Sequence, residues 1–401
     1  MQERSQFEFV VLMAALMSIV ALSIDAVLPA LPEIGDYLSS VSATENQKLI
    51  TTIFLGLGIG QLIFGPLSDS FGRKPMVYFG FGVFVIASII CVTTRNFEMM
   101  LFGRVLQGIG LSSPRTMTIA IVRDSYSGDY MAKILSIVVM TFILVPIIAP
   151  MLGQFLLLTF GWQSIFTVNL IFGFIIIIWF WKRQPETLRD KYRKTYRLSI
   201  FKTGTIEFFK IKTAVIYTLL SGFITGSFMV YLSTSQQIFQ VQYDLGEYFP
   251  YIFASLAITL GLATYLNSAL VMRFGMRNIV NLALIAFVCI SFIYMLLFWS
   301  GKNPSIEILL LFFMLQFASV AFLFGNYRAL AMEPMGHIAG IGAALNGFIS
   351  TVMAVPIANY IGSFVKTSVL PLFIGFFVTG VIAIVLFYSL DKADRTRPVT
   401  R

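Results

Sequence analysis

Residues 48–94 read KLITTIFLGLGIGQLIFGPLSDSFGRKPMVYFGFGVFVIASIICVTT. Two apolar stretches flank a short polar turn that carries Asp69, Arg73 and Lys74. A run of about 20 apolar residues is long enough, as a helix, to cross a hydrocarbon core ~30 Å thick. A helix also satisfies its own backbone hydrogen bonds where water is absent. The segment therefore reads as two membrane-crossing helices joined by a charged turn.

The same alternation continues outward from Phe7 to Leu390. Spans are expected at 7–30, 48–68, 76–94, 97–121, 131–159, 163–181, 213–239, 248–271, 278–299, 305–327, 337–364 and 369–390. With 58% hydrophobic and 12% charged residues, a water-soluble domain could not solvate such a surface. An all-α membrane protein of twelve transmembrane helices is expected. Orientation follows from Lys and Arg, which concentrate in cytoplasmic loops. With the N-terminus inside, 22 basic residues fall on the cytoplasmic side and four outside (Lys48, Arg95, Lys302, Lys366), leaving Arg104 and Arg115 within the membrane. Both termini are thus expected in the cytoplasm, with the protein multi-pass in a bacterial inner membrane. The net charge of +9 is spread over loops and tail as this rule requires, so no nucleic-acid partner is implied. Trp162, Trp179, Trp181 and Trp299 stand near span ends, where an amphipathic indole prefers to lie. The first apolar stretch is too long for a signal-peptide core and is expected to be retained. Cys91 and Cys289 lie inside spans with no sign of pairing.

The longest polar break, 182–212, carries ten basic residues against Glu186, Asp190 and Glu207. It divides the chain into a six-helix half at 1–181 and another at 213–390, with a cytoplasmic tail at 391–401. Ile206, Phe208, Phe209 and Ile211 stand among Lys202, Lys210 and Lys212, so this linker either lies on an anionic leaflet surface or is solvated. The halves echo one another. Phe71-Gly72-Arg73-Lys74 has a counterpart in Phe274-Gly275-Met276-Arg277, and Pro146 in Pro356. Pseudo-symmetric halves with a substrate site near the midplane are the arrangement that secondary transporters use for alternating access. No glycine loop followed by Lys and Ser/Thr suggests ATP as energy source. A membrane enzyme or receptor would need clustered His, Cys or carboxylates at depth, and only Asp25 is a deep carboxylate. The one histidine, His337, falls in a loop, so neither a metal site nor a cofactor is expected.

Several motifs bear on mechanism. Gly65-Pro66-Leu67-Ser68-Asp69-Ser70-Phe71-Gly72-Arg73-Lys74 resembles the signature loop of the major facilitator superfamily, and the resemblance covers the whole chain. It implies that Gly65, Asp69, Gly72 and Arg73 latch the two halves on the cytoplasmic side. Ser70 departs from the Arg common there, which thins the charge network. Arg104-Val105-Leu106-Gln107-Gly108-Ile109-Gly110 is similar to a motif of drug-proton antiporters. Asp25-Ala26-Val27-Leu28-Pro29-Ala30-Leu31-Pro32 resembles the first-helix pattern of the bicyclomycin-resistance (Bcr/CflA) branch. So do Ala120-Ile121-Val122-Arg123-Asp124, Tyr231-Leu232-Ser233 and Met332 to Gly340. The resemblance implies export of small amphipathic drugs or antibiotics, driven by the proton gradient and carried out by a monomer among membrane lipids. A dedicated metabolite or lipid transporter of the same fold shares every one of these motifs.

Depth brings Asp25 and Arg104 together. Asp25 lies ~10 Å before Pro32 on an outgoing helix, and Arg104 ~12 Å below Asn96 on an incoming one. An intramembrane charge is costly unless paired or wetted, so the two are expected either to couple proton binding or to form a fixed ion pair that packs helices. Pro146, Pro150 and Gly153 should kink or thin the fifth span. Tyr231, Gln236, Phe54 and Phe142 are candidate cavity residues, since aromatic and amide groups suit varied ligands. Arg115 lies on nearly the same helix face as Arg104, and either extends a basic track or snorkels. Asn267 and Asn346 serve either as interhelical hydrogen-bonding groups or as substrate ligands.

Overall fold

A computed structural model of the chain describes residues 5–40, 42–188, 193 and 198–390. The side chains at 128, 129, 132, 136, 139–143, 198–200 and 337 fall outside that description, and with them those of Phe142 and His337. Every regular element among the described residues is helical. Contacts divide the chain into two units, Met1–Leu198 and Ser199–Arg401.

In the first unit, α1 (Gln6–Asp25) runs through a short 3-10 turn (Leu28–Ala30) into α2 (Leu31–Tyr37), and α3 (Ala43–Asn46) precedes α4 (Lys48–Phe71). Then come α5 (Arg73–Thr93), α6 (Phe97–Ser125), α7 (Gly128–Phe160) and α8 (Gln163–Arg183). Helix α9 (Leu198–Lys210) occupies part of the expected linker. The second unit holds α10 (Lys212–Gln236) with a π-turn (Gln237–Gln242), α11 (Phe249–Phe274), α12 (Met276–Leu297), α13 (Ile306–Met332), α14 (Ala339–Gly362) and α15 (Leu370–Tyr388). Among the described residues, ten helical stretches are long and apolar enough to cross a bilayer, and α7 contributes a shorter one, Leu144–Phe160. The twelfth, α6, is the least apolar because it carries Arg104, Gln107, Arg115 and several hydroxyls.

Packing repeats between the units. In the first, α6 lies against α4 and α5, and α1 against α7; in the second, α13 lies against α11 and α12, and α10 against α14. Small residues bring α6 close to its neighbours. A methyl added at Gly108 would sit 2.0 Å from the Ile53 carbonyl of α4, and one at Gly80 of α5 would sit 2.3 Å from Ser113 Cβ. Such contacts hold membrane helices together where lipid supplies no hydrophobic drive. At Gly72 (φ 104°) and Gly275 (φ 78°) the chain turns through the left-handed region to start α5 and α12. That is the repeat foreseen from Phe71-Gly72 and Phe274-Gly275.

Candidate functional site

Arg104 is fully buried in the first unit. Its Nε donates to the Leu49 carbonyl at 2.9 Å, and its Nη1 donates to the Ser23 carbonyl at 3.0 Å and to Gln107 Oε1 at 2.8 Å. Gln107 Nε2 passes the chain on to Ser88 Oγ at 2.9 Å. The guanidinium lies 5.8 Å from the Phe166 ring centroid, within the range of a cation–π attraction. Nη2 is buried and donates to nothing among the described residues. The spacing of Arg104 and Gln107 explains the motif. Residues three apart on a helix face the same way, so the amide satisfies the guanidinium from within α6.

Asp25 is the last residue of α1 and is 5% exposed. The expected regular helix to residue 30 breaks here instead. Pro29 and Pro32 lack the N–H that would continue the ladder, so the carbonyl of Asp25 has no partner from Pro29. Helix α7 crosses at this break, where a methyl on Gly153 would sit 2.0 Å from the Ala26 carbonyl. Only a glycine permits that approach. Pro146 and Pro150 lie within an unbroken α7. Asp25 takes part in none of the ion pairs among the described residues. Arg104 does lie at the level of Asp25, meeting the backbone two residues away at Ser23, yet the guanidinium bonds carbonyls and not the carboxylate.

The turn between α4 and α5 is knitted more densely than its motif suggests. Arg73 donates through Nη1 to Asp69 Oδ1 and Ser68 Oγ, each at 2.6 Å, and through Nε to Asp124 Oδ2 at 3.0 Å. Ser68 Oγ in turn donates to the Gly65 carbonyl at 2.8 Å. Glu186, just beyond α8, accepts from the backbone N–H of Arg73 and Lys74 at 3.0 Å and of Thr187 and Leu188 at 2.9 Å. It caps the positive N-terminal end of α5. A methyl at Gly72 would meet Glu186 Oε2 at 2.6 Å, so the glycine is required for this approach as well as for its φ. Sequence reasoning counted Glu186 only among the linker charges and used Asp124 only as part of a resemblance. The available signal was a carboxylate directly after Pro185, at the end of a helix that returns to the level of the Gly72 turn.

The second unit places its candidates differently. Tyr231 is 2% exposed and packs among Phe317, Phe313 and Phe253, with ring centroids 4.6, 5.2 and 6.1 Å away. Gln236 is buried and donates to Gln240 Oε1 at 2.8 Å across the start of the π-turn. In the first unit, Phe54 on α4 and Arg115 on α6 are half-buried. Asn346 donates to Thr218 Oγ1 at 2.8 Å, and Asn267 accepts from Asn326 at 2.9 Å. Both asparagines join neighbouring helices.

Comparison with known proteins agrees with this architecture. A family model described as Major Facilitator Superfamily matches residues 13–358. The chain is 30% identical over 400 residues to an uncharacterized MFS-type transporter, YdgK, of Bacillus subtilis, covering 98% of this chain and 96% of that one. It is 26% identical over 402 residues to a bicyclomycin resistance protein homolog of Haemophilus influenzae, covering 98% of each. In fold it is similar to the crystal structure of a D-xylose-proton symporter, with a TM-score of 0.77 at 14% identity over 97% of this chain and 99% of that one. The twelve-helix fold, the knitted turn after α4 and these matches together place the chain in the Major Facilitator Superfamily, to which it belongs as a multi-pass membrane transporter.

Proposed function

We propose that this transporter exports small amphipathic, antibiotic-like molecules in exchange for protons. The observation that carries the reading is Asp25, a buried carboxylate at the break in α1 with no ion pair among the described residues. Such a group can gain and lose a proton without unmaking a salt bridge, and its two forms differ by a full charge within the membrane, where charge is costly. Arg104 supplies a fixed positive potential through its bond to the Ser23 carbonyl. A proton enters from outside, substrate competes for the charged form, and release follows inward. The proton gradient is the energy source and no cofactor is needed. A relative named for bicyclomycin resistance supports the drug class. Phe54, Arg115, Tyr231, Gln236 and Phe142 are proposed to shape the cavity. The positive-inside distribution supports a bacterial inner-membrane placement with both termini in the cytoplasm, and the protein is proposed to act as a monomer.

Asp25→Asn keeps shape and removes the titrating group. Resistance in an efflux-deficient host challenged with a drug panel should fall to the empty-vector level, with normal amounts of folded protein. Wild-type resistance together with substrate-induced proton release in the mutant would overturn the coupling role. Asp69 is proposed to act separately, in the cytoplasmic latch. Asp69→Asn should slow proteoliposome transport by weakening closure of the cytoplasmic side by about 1–3 kcal/mol, while leaving equilibrium substrate binding within about twofold. Normal turnover in that variant would remove the latch.

A further inference from the structure

The charged linker noted in the sequence forms a helix with two unlike faces. Gly204 and Phe208 of α9 lie on one side. Phe208 is fully buried, and a methyl on Gly204 would meet Ile341 Cδ1 at 2.5 Å near the start of α14. On the other side Lys202, Ile206, Phe209 and Lys210 fall within an arc of about 100°. All four are exposed, Ile206 by 49% and Phe209 by 57%. A helix that only needed solvation would not present a phenylalanine and an isoleucine between two lysines.

The position of α9 decides what this face meets. Ile211, in extended conformation, is the sole residue between α9 and the membrane-crossing α10. Lys212, the first residue of α10, donates to the carbonyl of Ser389 at 3.3 Å, just past the end of the membrane-crossing α15. Helix α14 begins beside Gly204. Three spans thus start or end at the level of α9, which fixes it at the boundary between hydrocarbon and water. Apolar side chains flanked by lysines at that level are the pattern of an interfacial helix, with rings in the acyl boundary and ammonium groups on phosphates.

We propose that the outer face of α9, through Lys202, Ile206, Phe209 and Lys210, binds the anionic headgroup layer of the membrane and anchors the second half to it. The partner is a phospholipid surface bearing net negative charge. Each lysine contributes about a fivefold preference for such a surface over a zwitterionic one. The preference weakens as salt rises. The inference rests on the membrane-spanning fold and not on the proposed proton exchange, so it stands or falls separately from Asp25.

The test uses full-length protein in nanodiscs of phosphatidylcholine alone or mixed with phosphatidylglycerol, the acyl chains brominated near the headgroup. Phe209→Trp introduces a reporter, and its signal is taken as the difference from wild type, which has four tryptophans of its own. Ile206→Trp on the same face is the second reporter if the first variant folds poorly. The added fluorescence should be quenched more strongly in the anionic discs, and Lys202→Gln with Lys210→Gln should bring the two compositions together. An unquenched reporter would mean that the face points to water and would overturn the proposal. Equal quenching in both lipids with the lysines intact would mean apolar contact without charge recognition, and would also overturn it.

Discussion

The two halves repeat one another down to single hydrogen bonds, and then part where Arg104 stands. In the first, Gln107 Nε2 donates to Ser88 Oγ at 2.9 Å; in the second, Gln316 Nε2 donates to Ser291 Oγ at 3.0 Å. The displacement from Ser88 to Ser291 equals that from Gly72 to Gly275, and the displacement from Gln107 to Gln316 equals that from Asp124 to Glu333. Arg73 bonds Asp124 at 3.0 Å and Arg277 bonds Glu333 at 2.9 Å, so both loops tie the start of one helix to the end of the next. In this register Arg104 corresponds to Phe313. The first half buries a cation ringed by carbonyls, and the second buries an aromatic cluster of Phe313, Tyr231, Phe317 and Phe373. One scaffold has been given ionic chemistry in one copy and stacking surface in the other. On the proposed reading, coupling to protons falls to the first half.

Arg104→Ala tests that division with the largest expected effect. It leaves the buried carbonyls of Leu49 and Ser23 and the Gln107 amide without their charged donor, at a cost of about 2–4 kcal/mol in stability. Transport should fall at least tenfold. If Arg104 and Asp25 communicate, the pH midpoint of substrate binding should also move. Overlapping midpoints in wild type and mutant would mean that Arg104 only holds helices, and the asymmetry between the halves would be structural.

Length and apolarity made the spans legible, because no water-soluble fold tolerates so many such stretches. The turn after α4 was legible because its glycine and charges are side-chain features. The backbone partners of Arg104 were not. Depth along the membrane normal fixes a residue's level but not the direction it faces around the helix, and the carbonyls of Ser23 and Leu49 leave no mark in the sequence. Glu186 was hidden for the same reason, since the four groups it caps are backbone amides. The fine register between the halves was obscured by the loop before α13, which is longer than the loop before α6 and shifts the displacement after the third helix of each half. The break at Asp25 is readable in principle from Pro29 and Pro32, although in the sequence Pro32 served only for depth and for a resemblance, and Pro29 only for that resemblance.

Glu186→Gln has a smaller effect than Arg104→Ala. The amide keeps one acceptor but loses the charge that sits on the N-terminus of α5, so the cap should weaken by about 1–2 kcal/mol. Amide exchange at Arg73 and Lys74 should accelerate several-fold, with the amides around Gln107 unchanged. Unchanged exchange at the turn would mean that Asp69 and Asp124 hold Arg73 without help from the linker.

The same substitution at two matched positions separates the halves most cleanly, and one of the two, Gln316→Leu, carries the smallest effect of all. Gln107 Oε1 accepts from Arg104 Nη1 while its amide donates to Ser88. Gln316 donates to Ser291 and to the Phe287 carbonyl, but its Oε1 is buried and accepts nothing among the described residues. With phenylalanine three residues earlier, no donor stands where Arg104 stands in the first half. Replacing a fully used amide removes a charge-assisted hydrogen bond and leaves its partners short, whereas replacing one with an orphaned acceptor also removes a desolvation penalty. Gln107→Leu should therefore cost about 2–3 kcal/mol, and Gln316→Leu about 0–1 kcal/mol. Thermal midpoints of both variants in one detergent measure the difference, and Ser88→Ala and Ser291→Ala complete a double-mutant cycle in each half. The serine coupling should be similar in the two cycles, since that bond is shared, and the excess cost at Gln107 should vanish in an Arg104→Ala background. Equal costs for the two glutamine variants would mean that Arg104 adds nothing to the first half's polar chain, and the contrast between an ionic and an aromatic copy would lose its energetic basis.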